Sequence, residues 1–288
     1  HVAGIMGATG NNGMGVVGVS WRAKIISMKF ITSNDAGSTM DAVLCFDKMI
    51  ELKEAGQNIR VCNNSWGQDA YGEYDHAMKD AFVAAENAGI ISVCASGNQN
   101  RNTDVQPFYP ASYPVNGIIS VNASTGADAR AGFSNYGLTS TDIMAPGEGI
   151  ESLSMGGGYK YLSGTSMACA YVSGAAAMLF GLNTNLTVAQ CRAVLLDPAS
   201  TDATAETLST TGGRRLNLAK CVRNPKLFSP VLRISRNGNS VVLQWEWKSG
   251  DVLEESSNLT TWSASPFYGP PPVTIPASQQ RRFFRIRM

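Results

Sequence analysis

The segment best equipped for chemistry is Gly164-Thr165-Ser166-Met167-Ala168, which runs into Cys169 to Phe180, a stretch of Ala, Gly and Val of helical type. A serine at a Gly-flanked helix start exposes its hydroxyl. Its backbone N–H sits at the positive end of the helix dipole, where it meets negative charge developing on a substrate oxygen. The same Gly-Thr-Ser also suits an ordinary helix N-cap, so the rest of the chain must decide. Two other polar, compact segments are Asn63-Asn64-Ser65-Trp66-Gly67 and Ala95-Ser96-Gly97-Asn98-Gln99. Asn98 offers side-chain N–H groups, and a Gly-Asn pair is equally a common turn. The two histidines are His1 and His76. His76 follows the polar loop Asp69 to Tyr74 and opens a surface-type helix, which marks it as an exposed helix residue rather than a base.

Both polar segments follow apolar runs. Lys24 to Ile31 reads as a buried strand, and Ser38 to Ala55 as an amphipathic helix with apolar Met40, Val43, Leu44, Phe46 and Met49. Strand Ile59 to Asn64, helix Asp75 to Ala88, strand Gly89 to Ala95 and strand Ile118 to Asn122 follow. This alternation predicts an α/β fold with a largely parallel sheet flanked by helices. Ligands in such sheets bind beyond the carboxyl ends of the strands. Residues 63–67 and 95–99 fall at such ends.

Composition narrows the function classes. The 288 residues carry 23 Lys or Arg and 22 Asp or Glu, a formal net charge of +1, which gives no reason to expect nucleic acid as partner. An apolar content of 44% excludes a disordered chain. The longest apolar run, around Gly174 to Leu182, falls short of the ~20 residues of a membrane span. Residues 1–222 hold 14 basic and 18 acidic side chains, a net of −4, whereas residues 223–288 hold 9 and 4, a net of +5. That break, near Asn224-Pro225, predicts domains at 1–224 and 229–288. In the second, Val231 to Ile234, Ser240 to Trp247 and Phe283 to Ile286 alternate apolar and polar residues, with Asn237-Gly238 as a hairpin turn. A small all-β module follows. The six cysteines form no CxxC pair and no zinc spacing. Cys62 and Cys94 read as buried free thiols; Cys191 and Cys221 either pair or stay free. The chain starts at His1 with no signal-type apolar segment, so it is expected to be a processed product or a fragment.

Taken together, the motifs resemble the subtilisin-like serine proteases (subtilases). His1-Val-Ala-Gly4 and Gly10 to Gly18 are similar to the end of that family's histidine motif and the loop after it. Asn63 to Gly67 resembles its substrate-binding strand and Ala95 to Asn98 its oxyanion segment. Tyr109 to Tyr113, Phe133 to Gly137 and Ala145-Pro-Gly147 match in order, before the serine motif at Gly164. The resemblance covers residue 1 to about residue 222.

It implies that Ser166 is the nucleophile and forms an acyl-enzyme, with Asn98 and the Ser166 N–H as oxyanion donors. Ser65, Trp66 and Gly67 would form one substrate-binding edge, and Ala36, Gly37 and Ser38 the other, pairing with extended peptide backbone. Ala95, Gly97 and Gln99 would line the first specificity pocket, whose base offers no acid and so no strict basic preference. Trp66 either walls the pockets or belongs to the core. Asn12 falls where many subtilases hold a structural Ca²⁺, the alternative being a Gly-rich turn without metal. No cofactor is expected for catalysis.

Two departures stand out. Ala170 replaces the family's usual Pro four residues after the serine, which restores a backbone donor. His1 matches the second His of the family's H-G-T-H motif, so the catalytic His is expected three residues before position 1 and the Asp further upstream. The expected function is a secreted serine endopeptidase acting on peptides or proteins, the chain as it stands being near-silent. The alternative is a pseudoprotease that binds peptides or serves as a surface-attachment scaffold. The Trp- and Arg-containing tail resembles the C-terminal β modules of secreted bacterial hydrolases, with carbohydrate or a cell surface as its expected partner.

Overall fold

A computed structural model describes residues 1–34, 36–69, 74–204, 213–228, 232–245, 252–266, 271–276 and 282–287. The chain divides into two compact units, His1–Leu227 and Phe228–Met288.

The first unit runs α1 (Val2–Gly7), α2 (Thr39–Glu54), β1 (Val61–Asn64), β2 (Gln68–Asp69), α3 (His76–Asn87), β3 (Ile91–Ala95), β4 (Phe108–Tyr109) and β5 (Ile118–Ser124). It continues with β6 (Ile143–Pro146), β7 (Ile150–Leu153), β8 (Tyr159–Leu162), α4 (Thr165–Leu182), α5 (Val188–Leu195), β9 (Thr201–Ala203), β10 (Arg214–Leu216) and α6 (Leu218–Cys221). Six strands form one sheet in the order β1-β3-β5-β6-β10-β9. All neighbours are parallel except β9, which runs antiparallel to β10.

Alternation along the strands assigns the two faces. Ile91, Val93 and Ala95 of β3 and Ile119, Val121 and Ala123 of β5 share one cluster with Ala168, Cys169, Val172, Ala175, Ala176 and Leu179 of α4. Cys94 and Ile118 share the other with Phe46 and Met49 of α2 and Met78, Phe82 and Ala85 of α3. Burying each large side chain contributes about 1.5–3 kcal/mol. The helices start where their caps dictate. The Ser38 hydroxyl accepts the Asp41 N–H, Asp75 accepts that of Met78, and Thr187 and Gln190 form a reciprocal capping box on α5. Among the described residues α4 alone is long and apolar enough to span a bilayer, contrary to the reading of its apolar run as too short; here it lies mostly buried within the fold.

The segment Lys24 to Ile31 is not a strand: among the described residues it finds no ladder partner, and Ile25 and Ile26 are half-exposed. A strand exists only by sharing hydrogen bonds with a neighbour, so an apolar run alone does not make one. In α2 the buried stripe is Ala42, Phe46 and Met49, at i, i+4 and i+7; Met40 and Leu44 lie off it and are exposed. Cys191 and Cys221 are both free, buried thiols.

In the second unit, β11 (Arg233–Asn237), β12 (Ser240–Gln244) and β15 (Val273–Pro276) form one antiparallel sheet. A second consists of β13 (Val252–Ser256), β14 (Ser263–Ala264) and β16 (Phe283–Arg287). Leu243, Trp245, Leu253 and Ile275 make its core. The β11–β12 turn is one residue later than expected: Asn237 pairs with Ser240, so Gly238-Asn239 are the central pair, with Gly238 at φ +57°. Glycine at the first central position suits a type II′ hairpin. Trp247 lies outside the described residues.

Gly174 of α4 is a contact glycine. A Cβ there would stand 2.7 Å from Val19 Cβ and 3.2 Å from the Met6 carbonyl oxygen. Alanine normally stabilises a helix interior by about 1 kcal/mol over glycine, but here Gly174→Ala should destabilise by about 1–3 kcal/mol through overpacking. Thermal unfolding of the variant checks the sign.

Candidate active site

Ser166 is the second residue of α4, after the N-cap Gly164 and the buried Thr165. Its Oγ donates to the Ser65 carbonyl at 3.2 Å, and the Ser65 Oγ donates to the Ser166 carbonyl at 2.9 Å. The segment after β1 is thus fastened to the start of α4 by two reciprocal bonds. Behind them the Asn63 amide donates to Ser65 Oγ at 2.9 Å, while its oxygen accepts from Ser173 Oγ and from Cys169 Sγ. Burial pushes the Cys169 thiol up to about 12, so this sulfur, one turn beyond Ser166, is inert as a nucleophile.

Asn98 approaches the same helix start from the end of β3. Its Oδ1 accepts the Thr165 N–H at 2.8 Å and the Thr165 hydroxyl at 2.9 Å, and the Thr165 hydroxyl accepts the Gly97 N–H at 3.1 Å. A backbone N–H can only donate, so the atom it meets must be the amide oxygen. The NH₂ end of Asn98 therefore faces away, and Asn98 itself is exposed. The position a Cβ would occupy on Gly164 lies 3.6 Å from Asn98 Nδ2 and 3.7 Å from the Ser166 nitrogen. Met167 Sδ lies 3.5 Å from the same point, so two donor nitrogens and a thioether border the small space that glycine leaves.

The loop bearing Asn98 is held by a residue that carried no assigned role in the sequence reading. Asn135, fully buried, accepts the N–H groups of Gln99 and Arg101 and donates to the Ser96 carbonyl and Gln99 Oε1. The Gln99 Oε1 also accepts the Asn98 N–H. Gly97 is at φ +102°, and a Cβ there would lie 2.3 Å from Asn135 Nδ2. Only the Ser-Asn-Tyr-Gly match pointed to Asn135; its burial and its four bonds are tertiary facts.

The remaining expected residues fall as follows. Ala95 ends β3 and is buried. Gly67 lies against β4, where a Cβ would stand 2.3 Å from Phe108 Cε1. Trp66 is half-buried, edge-on to Phe30 at 4.9 Å and packed on the α2–α3 cluster, which favours its core reading. Ala36, Gly37 and Ser38 are exposed; the Ala36 carbonyl accepts the Thr32 N–H, and Ser38 caps α2. The structure ties Ser166 to Ser65 directly and Asn98 to the same helix start through Thr165; the bonds given for residues 36–38 go elsewhere. The His1 Nε2 lies 3.0 Å from the Ile150 carbonyl and 3.1 Å from that of Lys160, held to the β7–β8 hairpin. His76 is exposed, edge-on to Tyr74. The Asn12 Oδ1 accepts the Met14 N–H at 3.1 Å. Among the described residues no cluster of three or more His, Cys, Asp or Glu could hold a metal. Residues 9–16 contain no acid, so any hard-cation shell built there would draw on Asn side-chain and backbone carbonyl oxygens. No chemistry is assigned to a metal. Ala170 is fully buried near Ile5 and Met167, and α4 is continuous through it.

A family model described as the subtilase family, Peptidase_S8, matches residues 1–216. The chain belongs to the subtilase family. Among curated subtilases, "Subtilisin-like protease 7" of Arthroderma otae is 36% identical over 183 residues, which covers 63% of this chain and 42% of that protein. The "Thermophilic serine proteinase" of Bacillus sp. (strain AK1) is 37% identical over 179 residues, covering 62% and 41%. The chain thus spans less than half the length of these relatives. A solved structure of "a cold adapted subtilisin-like serine proteinase" superposes with a TM-score of 0.64 at 31% identity, covering 75% of this chain and 72% of that one. The α/β architecture is therefore that of a subtilase.

Removing the hub of the Asn98 loop should be costly. In Asn135→Ala, two N–H groups and a carbonyl lose their partner, each at about 1–3 kcal/mol. A loss of at least about 3 kcal/mol is expected, read from the denaturant midpoint of the first unit.

Proposed function

We propose that this subtilase acts as a secreted serine endopeptidase, hydrolysing peptide or protein substrates through an acyl-enzyme on Ser166. The observation that carries this reading is that Asn98 Nδ2 and the Ser166 nitrogen lie 3.6 and 3.7 Å from one point beside Gly164, with Met167 Sδ at 3.5 Å. Two donor nitrogens this close to one point suit an oxygen that gains negative charge as its carbonyl is attacked. The carbonyl of the scissile bond enters that space while the Ser166 hydroxyl attacks its carbon. No cofactor is invoked.

Serine needs a base to take its proton. The Ser65 carbonyl that now accepts the Ser166 hydroxyl cannot serve, His1 is bound to the β7–β8 hairpin, and His76 lies edge-on to Tyr74. The family resemblance puts the catalytic His three residues before His1, with the Asp further upstream. Asn98, Ser65 and Gly67, at the ends of β3 and β1, support a substrate cleft on this side of the sheet. Ala95, Gly97 and Gln99 are proposed to line its first pocket, and residues 36–38 its second edge. For the tail, a carbohydrate or surface role finds no open aromatic platform in its two described tryptophans: Trp245 is buried and Arg285 covers the Trp262 ring at 4.3 Å.

In a protein carrying the upstream segment, Ser166→Ala should abolish turnover. Asn98→Ala should lower kcat with KM nearly unchanged, because its bond strengthens only as charge develops. A loss of about 10²–10³ is expected, the size found for an oxyanion-hole donor in subtilisin itself. Equal kcat with weakened binding would overturn the oxyanion role.

Residues 1–288 expressed alone should be near-silent, since in subtilisin loss of the base costs about 10⁶ in kcat. Treatment with a fluorophosphonate probe, with Ser166→Ala as control, checks this. Rapid labelling of Ser166 in that chain would show that the base lies within it.

A further inference from the structure

The exposed loop after β3 is zipped along the segment that follows residue 132. The Asn135 N–H donates to the Gly97 carbonyl at 2.9 Å, Asn100 N–H to Phe133 at 2.8 Å, Tyr136 N–H to Arg101 at 2.9 Å and Thr103 N–H to Tyr136 at 2.7 Å. Beyond Tyr136 the chain turns at Gly137, and there a side chain replaces the backbone partner. The Asp104 Oδ2 accepts the Leu138 N–H at 2.7 Å. Its Oδ1 accepts the Thr139 N–H at 3.1 Å, the Thr139 hydroxyl at 2.8 Å, the Ser140 N–H at 2.9 Å and the Ser140 hydroxyl at 2.7 Å. Five donors converge on two oxygens that together offer about four lone-pair sites. The Asp104 N–H is itself bound to Asn102 Oδ1 at 3.0 Å. The turn leaves no room for a side chain: a Cβ on Gly137 would lie 2.2 Å from Ser140 Oγ and 2.7 Å from Asp104 Oδ1.

We infer that Asp104 is a positioning residue for the oxyanion donor: its carboxylate closes the zipper between residues 97–104 and 133–141 and so fixes where Asn98 stands. This rests on the protease reading of Ser166 and Asn98. Asn98, Gln99 and Asn100 are all exposed, and Asn100 is held at φ +52°. Such a loop has little burial to hold it, so its shape depends on the strip it is zipped to. The carboxylate is committed to its charged form. Burial raises its pKa, but the hydroxyls of Ser140 and Thr139 and the N–H groups of Thr139 and Leu138 outweigh that and bring it to about 2. An amide at this position would turn NH₂ hydrogens toward backbone N–H groups of Leu138 or of Thr139 and Ser140, which only donate; the two hydroxyls alone could rotate to accept.

The test compares wild type, Asp104→Asn and the milder Ser140→Ala in the full-length protein, with peptide kinetics and amide hydrogen exchange followed together. In Asp104→Asn, exchange should quicken over both 136–141 and 96–101, and kcat should fall about tenfold with KM within about twofold, as a displaced catalytic donor predicts. Ser140→Ala, which removes one donor of five, should move both readouts the same way by less. Faster exchange confined to 136–141 would make Asp104 a local turn lock and overturn the inference. So would quickened exchange in both segments with kcat unchanged. If wild type neither turns over nor labels at Ser166, the protease reading fails; the coupling of exchange between the two segments still decides whether Asp104 holds the Asn98 loop.

Discussion

Everything at the site depends on Thr165. This buried residue gives both its N–H and its hydroxyl to Asn98 Oδ1, and its hydroxyl takes the Gly97 N–H. Three short bonds thereby join the end of β3 to the start of α4. They also decide which way the Asn98 amide faces. At the first position of α4, Thr165 fixes an orientation that rotation about the Asn98 side chain would otherwise leave open.

That joint is rigid because both elements it joins are anchored elsewhere. β3 is wholly buried between β1 and β5. α4 lies against the same strands through Ala168, Cys169, Val172, Ala175 and Ala176, all fully buried. Small side chains let the helix approach the sheet closely, and a close-packed interface resists displacement. The polar links from Asn63 to Ser65, Cys169 and Ser173 then tie the third element, β1, into the same contact. Preorganised donors are useful in catalysis because they need not reorganise when charge appears. A buried helix on a parallel sheet supplies that rigidity.

The polar side chains of the site divide by what they do. Asn98 is exposed and Ser166 half-buried, while Thr165 and Asn135 are buried with their partners in place and Asn63 is half-buried with three bonds. Burying amides and hydroxyls is tolerable only when their partners are complete. Asn135 meets that demand with two accepted and two donated bonds.

Strand-end and helix-start signals are local and located Gly164 to Ala168, Ala95 to Asn98 and Asn63 to Gly67, while the roles proposed for them come from the resemblance to the subtilases. Helices α2, α3 and α4 and strands β1, β3 and β5 followed from the same local signals. What failed were readings that needed a distant partner. Lys24 to Ile31 has a strand's composition but no ladder among the described residues, and Met40 and Leu44 fit an apolar pattern yet miss the stripe that meets the sheet. Asn135 and Asp104 carried no assigned role in the sequence, and Thr165 only a share in a helix-cap reading. Their roles arise from bonds to groups 34 to 68 positions away. Local propensity determines which elements form; which polar groups meet across them is decided only when the sheet and α4 close together.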